Sequence, residues 1–342
     1  MRYRTLGRTG IKVSPYALGA MMFGAIGNPD HDESLRIIHR AFDAGINLID
    51  TADMYSHGES EEIVGKALRG RRDDVVVATK ARMPMSDNPN HQGASRRWLV
   101  RALDDSLRRL GTDHIDVFQI HRPDPDTDIE ETLSALTDLQ RAGKIRAFGT
   151  SALPASEIVR AHWVSEKRGL ARLRTEQPVY SILNRGIERE VLPITQEFGM
   201  GTLVWSPLGG GLLTGRYRKG QDVATHRSQF GFQHLKDDRR LDVVEQLIPL
   251  ADEAGMPLTH LAIAFVLAHP GVTSALIGPR TMAHLDDLLA GAEVVLDDDL
   301  LDRIDKIAPP GTDVGTLDMA YQPPAILRTE LRRRSPGDRP AN

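Results

Sequence analysis

Short apolar runs recur along this chain, separated by longer stretches in which apolar residues return every third or fourth position. The runs suit strands buried on both faces, and the longer stretches suit amphipathic helices packed against them. The pattern predicts strands at Tyr16–Gly19, Asn47–Asp50, Val75–Thr79, Ile115–His121, Ala147–Ser151, Arg174–Gln177, Thr202–Trp205 and Ser274–Ile277. Between them, Glu33–Ala44 carries Leu35, Ile38 and Phe42 on one face and stops at Gly45. Arg97–Leu110 carries Leu99, Leu103, Leu107 and Leu110 ahead of Gly111, and Ile129–Ala142 carries Leu133, Leu136 and Leu139 ahead of Gly143. Glycine just past the last periodic residue is a common helix stop. Another helix is expected from Ser60, with Glu61 and Glu62 in its first turn.

Eight such alternations with no mid-chain change of composition predict an α/β fold. A closed (β/α)8 TIM barrel accounts for them better than a doubly wound open sheet. The segment "RYRTLGRTGIKVS" reads as a small N-terminal β-hairpin turning at Gly7 to Gly10. Three longer connections stand out: Arg82–Ser95, Pro207–Arg240 and the Pro- and Arg-rich tail after Pro309. One domain is expected over residues 1–342, with its core at about 3–306 and a C-terminal tail at 307–342. Loops of this length in a barrel are commonly functional.

Composition narrows the class. Of the 342 residues, 40% are hydrophobic and 26% charged, enough to build a full core. A net charge of −4 gives no reason to expect a nucleic-acid or membrane partner. There is no cysteine, which rules out disulfides and thiolate chemistry and fits a reducing, cytoplasmic setting. The N-terminus lacks the apolar core of a signal peptide, and no apolar run is long enough to span a membrane.

In a (β/α)8 barrel the active site lies at the C-terminal ends of the strands, so the residues ending each strand test the reading. The second strand ends at Asp50 with Tyr55 just beyond it, the third at Lys80 and the fourth at His121. Taken singly, each is more often a cap, a packing residue or a solvated charge than a catalyst. On consecutive strands of one barrel they make coherent chemistry. A tyrosine is a weak acid with a reference pKa of about 10. A neighbouring ammonium favours its phenolate, an acid keeps that ammonium charged, and a histidine can orient a carbonyl. The set suits protonating a carbonyl oxygen while a cofactor supplies hydride. No G-x-G-x-x-G follows a strand, since "GGGLLTG" lies in a loop behind Pro207, and H-E-x-x-H is absent.

"GINLIDTADMYSHGESEEIVGKAL", "VVVATK", "LRRLGTDHIDVFQIHRPD", "GKIRAFGTSA", "WSPLGGGLLTGRY" and "IGPRTMAHLDDLL" together resemble the aldo-keto reductases. The nearest likeness is to the branch of aryl-alcohol dehydrogenase-like bacterial enzymes and potassium-channel β subunits. The resemblance runs from about Tyr3 to about residue 306 with its motifs in order. It implies an NADP-dependent oxidoreductase, using NADPH in preference to NADH and carrying no metal. Carried over by position, Tyr55 would be the proton donor, Lys80 and Asp50 its tuning partners, and His121 the substrate-orienting residue. Ser151 and Gln177 match the carboxamide contacts, and Trp205 the ring that stacks on the nicotinamide, with Gly19, Met22 and Asp50 beside it. Ser206, Pro207, Leu208, Gly210 and Leu212 match the loop under the pyrophosphate, and Arg216 and Arg227 its closing segment. Gly278, Arg280, Thr281, His284 and Asp287 match the stretch around the adenosine 2′-phosphate.

The substrate pocket is expected from Phe23, Met54, Tyr55, Trp98 and His121, with residues of the loops Arg82–Ser95 and Pro207–Arg240 and of the C-terminal tail. The chain departs from the family at Ala152, where Asn or Arg is usual, and at His284, where Gln or Arg is usual. The expected partner is a small carbonyl compound; self-association stays open. A slow-turnover, redox-sensing subunit like the channel β subunits is the second reading. Those subunits carry Asn at the position of His121. A lyase or isomerase using Lys80 as a Schiff-base nucleophile is a third.

Overall fold

Eight parallel strands close on themselves. In the computed structural model, which describes residues 1–221, 223–317 and 320–339, the remaining positions of the 207–240 loop and of the tail lie outside the described residues. A two-stranded antiparallel hairpin comes first, β1 (Arg4–Thr5) and β2 (Lys12–Val13). The barrel strands are β3 (Tyr16–Gly19), β4 (Leu48–Asp50), β5 (Val76–Ala81), β6 (Ile115–Ile120), β7 (Ile145–Ser151), β8 (Thr175–Gln177), β9 (Gly201–Val204) and β10 (Ser274–Ile277). They pair in sequence order, and β10 closes the ring onto β3. The (β/α)8 barrel expected from the pattern is therefore the fold.

Helices α1 (His31–Asp43), α2 (Glu59–Ala67), α3 (Arg96–Leu110), α4 (Ile129–Arg141), α5 (Ala155–Arg168) and α6 (Val191–Glu197) form the outer layer with α7 (Asp238–Glu253), α8 (Leu258–Ala268), α9 (Met282–Ala290) and α10 (Asp298–Ile307). Their ends follow local chemistry. Asp30 and Ser95 cap α1 and α3 by accepting from the Glu33 and Trp98 amides. Gly111 ends α3 in the left-handed conformation that a glycine adopts freely. No single helix among the described residues is long and apolar enough to cross a membrane.

Alternation along the strands creates the site. Ala17, Leu48, Ala78, Val117, Leu203 and Leu276 form an apolar cluster inside the barrel, joined from below by Leu6 and Val13 of the hairpin. The hairpin is thus a plug at the N-terminal end, and its Gly7 lies so close to Gly199 and Gly201 that a Cβ would meet their backbone at 2.5 Å. Two residues further along each strand point the same way. From Ala17, Leu48, Ala78 and Val117 that step reaches Gly19, Asp50, Lys80 and Gln119, and a polar layer replaces the apolar one.

Strand edges differ from the pattern by a residue or two. Lys80 lies inside β5 rather than beyond it, and His121 lies just past β6. The start of α2 is a correction: its N-cap position is Gly58, and Ser60 is fully buried. The Ser60 hydroxyl donates to Ala20 O at 2.8 Å and bonds Thr51 Oγ1 at 2.9 Å, tying two strand-end loops together. Glu61 is no solvated first-turn acid either. It is fully buried, accepting from Thr79 Oγ1 at 2.5 Å and Arg109 Nε at 2.7 Å.

Candidate active site

A cavity of about 790 Å³ opens at the C-terminal ends of the strands. Its floor is built around one buried ion pair. The Lys80 ammonium, fully buried, donates to Asp50 Oδ2 in a short contact and to Thr51 O at 2.9 Å. Asp50 also accepts from Gln177 Nε2 at 2.8 Å and Gln119 Nε2 at 3.3 Å. Burial pushes Lys80 toward deprotonation, but the charges of Asp50 and then Tyr55 outweigh it and hold its pKa above the ordinary value. Lys80 is therefore a fixed ammonium beneath the cavity.

Tyr55 sits over it. Lys80 Nζ lies 3.4 Å from the phenol oxygen and 5.0 Å from the ring centre. Burial raises the phenol pKa, Lys80 opposes that rise, Asp50 adds to it, and the net shift is upward. The phenol is thus held protonated, in the form that can donate. The imidazole of His121 meets the Tyr55 ring edge-on, with centroids 5.6 Å apart at 82°. Burial first, then the charges of Lys80, Arg122 and Arg82, drive the His121 pKa well below 6.5. A neutral imidazole beside a protonated phenol is the consequence.

The backbone around this floor is unusual in a localised way. Among the described residues, the non-glycine positions with positive φ are Ser56, His57, Arg82, Ala152 and Ser206, all in loops that leave strands at the mouth. Such conformations cost of order 1–3 kcal/mol each and persist where packing over-determines them. Ser56 and His57 turn the chain sharply after Tyr55. Ala152 is held by Glu176, whose carboxylate accepts from Leu153 N at 3.0 Å and from Thr150. Burial is the main reason the Glu176 pKa rises to about 7.

The cavity is also lined by Gly19, Met22, Met54, Ser151, Gln177, Trp205, Ser206, Pro207, Leu208, Gly210, Arg216, Arg227, Gly278, Arg280, His284 and Asp287. Other expected residues lie elsewhere. Phe23 and Leu212 are fully buried in the core, and Trp98 stacks on His91 at 5.3 Å. Thr281 acts as the N-cap of α9, accepting from the His284 amide at 3.3 Å. Sequence reading did not name Gln119 or Arg122, whereas Met83 and the 223–226 segment fall in the two long loops, 82–95 and 207–240, expected to shape the pocket. Gln119 had a signal, standing one period of two beyond Val117 on β6, and Arg122 directly follows His121 just past the strand.

Parts of this lining could hold an anionic cofactor. Gly209, Gly210 and Gly211 take positive φ after Ser206, whose hydroxyl accepts from Gly210 N at 2.8 Å. A Cβ on Gly210 would come within 2.4 Å of His234, so the close turn requires glycine. Consecutive backbone amides in such turns make anion-binding hollows. Arg280 is braced through its carbonyl by Asn28 Nδ2 at 3.0 Å, and Arg216 reaches His284 at 3.3 Å. The buried indole N–H of Trp205 has no hydrogen-bond partner among the described residues.

The model of the aldo/keto reductase family matches residues 16–309. The chain belongs to that family. Its alignments to curated relatives run over nearly the whole of each relative. It is 39% identical over 320 residues to the uncharacterized oxidoreductase YrpG of Bacillus subtilis (strain 168), covering 90% of this chain and 96% of the relative. It is 36% identical over 321 residues to a probable voltage-gated potassium channel subunit beta of Oryza sativa subsp. japonica, covering 90% and 96%. It is 34% identical over 327 residues to versiconal hemiacetal acetate reductase of Aspergillus parasiticus, covering 86% and 94%. An aldo/keto reductase fold and an oxidoreductase class follow for this chain.

Two predictions concern the buried charges. Lys80→Met leaves Asp50 buried without its cation, which is expected to cost about 3–5 kcal/mol of stability in chemical denaturation. Adding Asp50→Asn should recover most of that loss; additive losses would mean the pair is not coupled. Asp53, nearly fully buried with both carboxylate oxygens unpartnered among the described residues, has its pKa raised to about 8, by burial first and then by Glu61. Because the folded value lies above the unfolded one, its contribution is full below about pH 4 and is lost as pH rises through 8. Asp53→Asn is therefore expected to flatten the fall in unfolding free energy between pH 5 and 8.5; an unchanged slope would refute that origin.

Proposed function

We propose that this aldo/keto reductase is an NADPH-dependent carbonyl reductase, reducing an aldehyde or ketone to the alcohol, reversibly. The observation that carries the reading is the protonated Tyr55 phenol resting on a fully buried Lys80–Asp50 pair at the floor of a cavity with anion cradles. A reduced nicotinamide bound there would supply hydride to the carbonyl carbon. Ser151, Gln177 and Trp205 are the residues to hold its ring. Gln177 spends its amide N–H on Asp50, which leaves the amide oxygen to accept from a carboxamide. The Gly209–Gly211 turn would take the pyrophosphate and Arg280, Arg216 and His284 the 2′-phosphate.

Tyr55 then gives its proton to the carbonyl oxygen, and Lys80 stabilises the phenolate left behind. Lys80 stays an ammonium throughout because Asp50 balances it. Neutral His121 orients the carbonyl without adding charge of its own. A Schiff-base role for Lys80 fits poorly, since its ammonium is buried, paired and not on the cavity wall. The absence of cysteine supports work in a reducing cytoplasm.

A slow, cofactor-binding regulatory subunit is the second reading, carried by the likeness to the rice channel subunit. His121 favours the reductase, because channel β subunits resemble this chain yet carry Asn there.

A screen of NADPH oxidation over aldehydes, ketones and quinones tests the choice. Turnover is expected with Tyr55→Phe lowering it by about 10²–10⁴-fold while NADPH still quenches tryptophan fluorescence. NADPH binding without turnover in the parent protein would favour the regulatory reading. Arg280→Ala should weaken NADPH by about ten- to a hundredfold, the worth of one charge-assisted contact, and leave NADH almost unchanged. Equal losses for both cofactors would remove Arg280 from the 2′-phosphate.

A further inference from the structure

The turn that leaves β7 is strained at a residue with no means of relieving it. Ser151 lines the cavity, and Ala152 after it takes a φ of 59°, where the Cβ of an L-residue crowds the following carbonyl. Asn eases that crowding by bonding locally through its side chain, and Ala cannot. The end of β8 holds the turn instead. Thr150 and Ser151 lie opposite Glu176 and Gln177 in the parallel register. The Gln177 carbonyl accepts from Ser151 Oγ at 2.8 Å and from Ala152 N at 3.2 Å. The Glu176 carboxylate spans the same turn: one oxygen accepts from Leu153 N at 3.0 Å, the other from Thr150 Oγ1 in a short contact. Its two oxygens thus fix the residues on either side of the Ser151–Ala152 step.

Glu176 is fully buried, and it is not on the cavity wall. Side chains alternate along a strand, so Gln177 faces the cavity and Glu176 faces away from it. An acid in that place is costly. Burial works against its charge, and the bonds to Thr150, Leu153 and Ala152, then the charge of Arg122, offset that only in part. A well-packed apolar residue would avoid the penalty. It would also leave Leu153 N without this acceptor and the strained turn without its outer hold.

We infer that Glu176 is a positioning residue, holding the 150–153 turn so that Ser151 and Gln177 together meet the nicotinamide carboxamide. It does this from behind the cavity wall, without touching the cofactor. The left-handed Ala152 is what makes the clamp necessary, since a turn left to itself would relax toward negative φ and carry Ser151 with it. The inference rests on the reductase reading and adds a residue to its cofactor site.

The test separates the nicotinamide end of the cofactor from its adenosine end. Calorimetric titration of the full chain with NADPH is compared with titration by adenosine 2′,5′-bisphosphate, which has the 2′-phosphate but no nicotinamide. Glu176→Met is expected to weaken NADPH by about tenfold or more, the worth of one hydrogen bond to a charged group, and to leave the bisphosphate unchanged. Glu176→Gln keeps a carbonyl oxygen for Leu153 N and should retain most of the NADPH affinity. In the Glu176→Met background, Ala152→Gly removes the crowded Cβ and should recover part of the loss. Should Glu176→Met fail to fold, Thr150→Val, which removes one of the two donors, should show a smaller loss confined to NADPH. Equal losses for the two ligands, no loss for either, or a loss that Glu176→Gln shares in full would overturn the positioning role while leaving the reductase reading intact. A parent protein that does not bind NADPH would overturn that reading and this inference with it.

Discussion

A lysine with no exposure at all, at the top of a barrel core, constrains everything around it. An isolated buried ammonium would give up its proton, and an isolated buried carboxylate would take one. Lys80 and Asp50 avoid both outcomes by meeting on adjacent strands, with the pair's outer lone pairs taken by Gln177 and Gln119. A buried ion pair is a poor way to gain stability. Its value here is a positive charge that cannot relax away, beneath the Tyr55 phenol that lines the cavity.

The surrounding structure can be understood as what that charge requires. Burial first, then the charges of Lys80, Arg122 and Arg82, keep the His121 imidazole neutral beside the Tyr55 phenol. Loops that leave the strands are bent into positive-φ conformations at five non-glycine positions among the described residues, all at this mouth. The hairpin plug and the apolar layer above it leave the other end of the barrel filled by side chains. The fold thus separates its tasks: the plugged end supplies rigidity, and the mouth accepts local strain in exchange for position.

How much of this was legible follows from which signals are periodic. A period of two carries Leu48 to Asp50 and Ala78 to Lys80, so the fold and the proximity of those groups could be read from strand patterns. Loops carry no such period. Phe23 and Trp98 looked like pocket residues because they are aromatic and near the right strand ends, but aromatic burial is equally served by core packing, and that is where they lie. Ser60 and Glu61 matched a helix start in composition, yet tertiary contacts to Ala20, Thr51, Thr79 and Arg109 took both side chains inward. Gln119 escaped notice because a strand-interior Gln looks like a lapse in a buried strand until its partner is known.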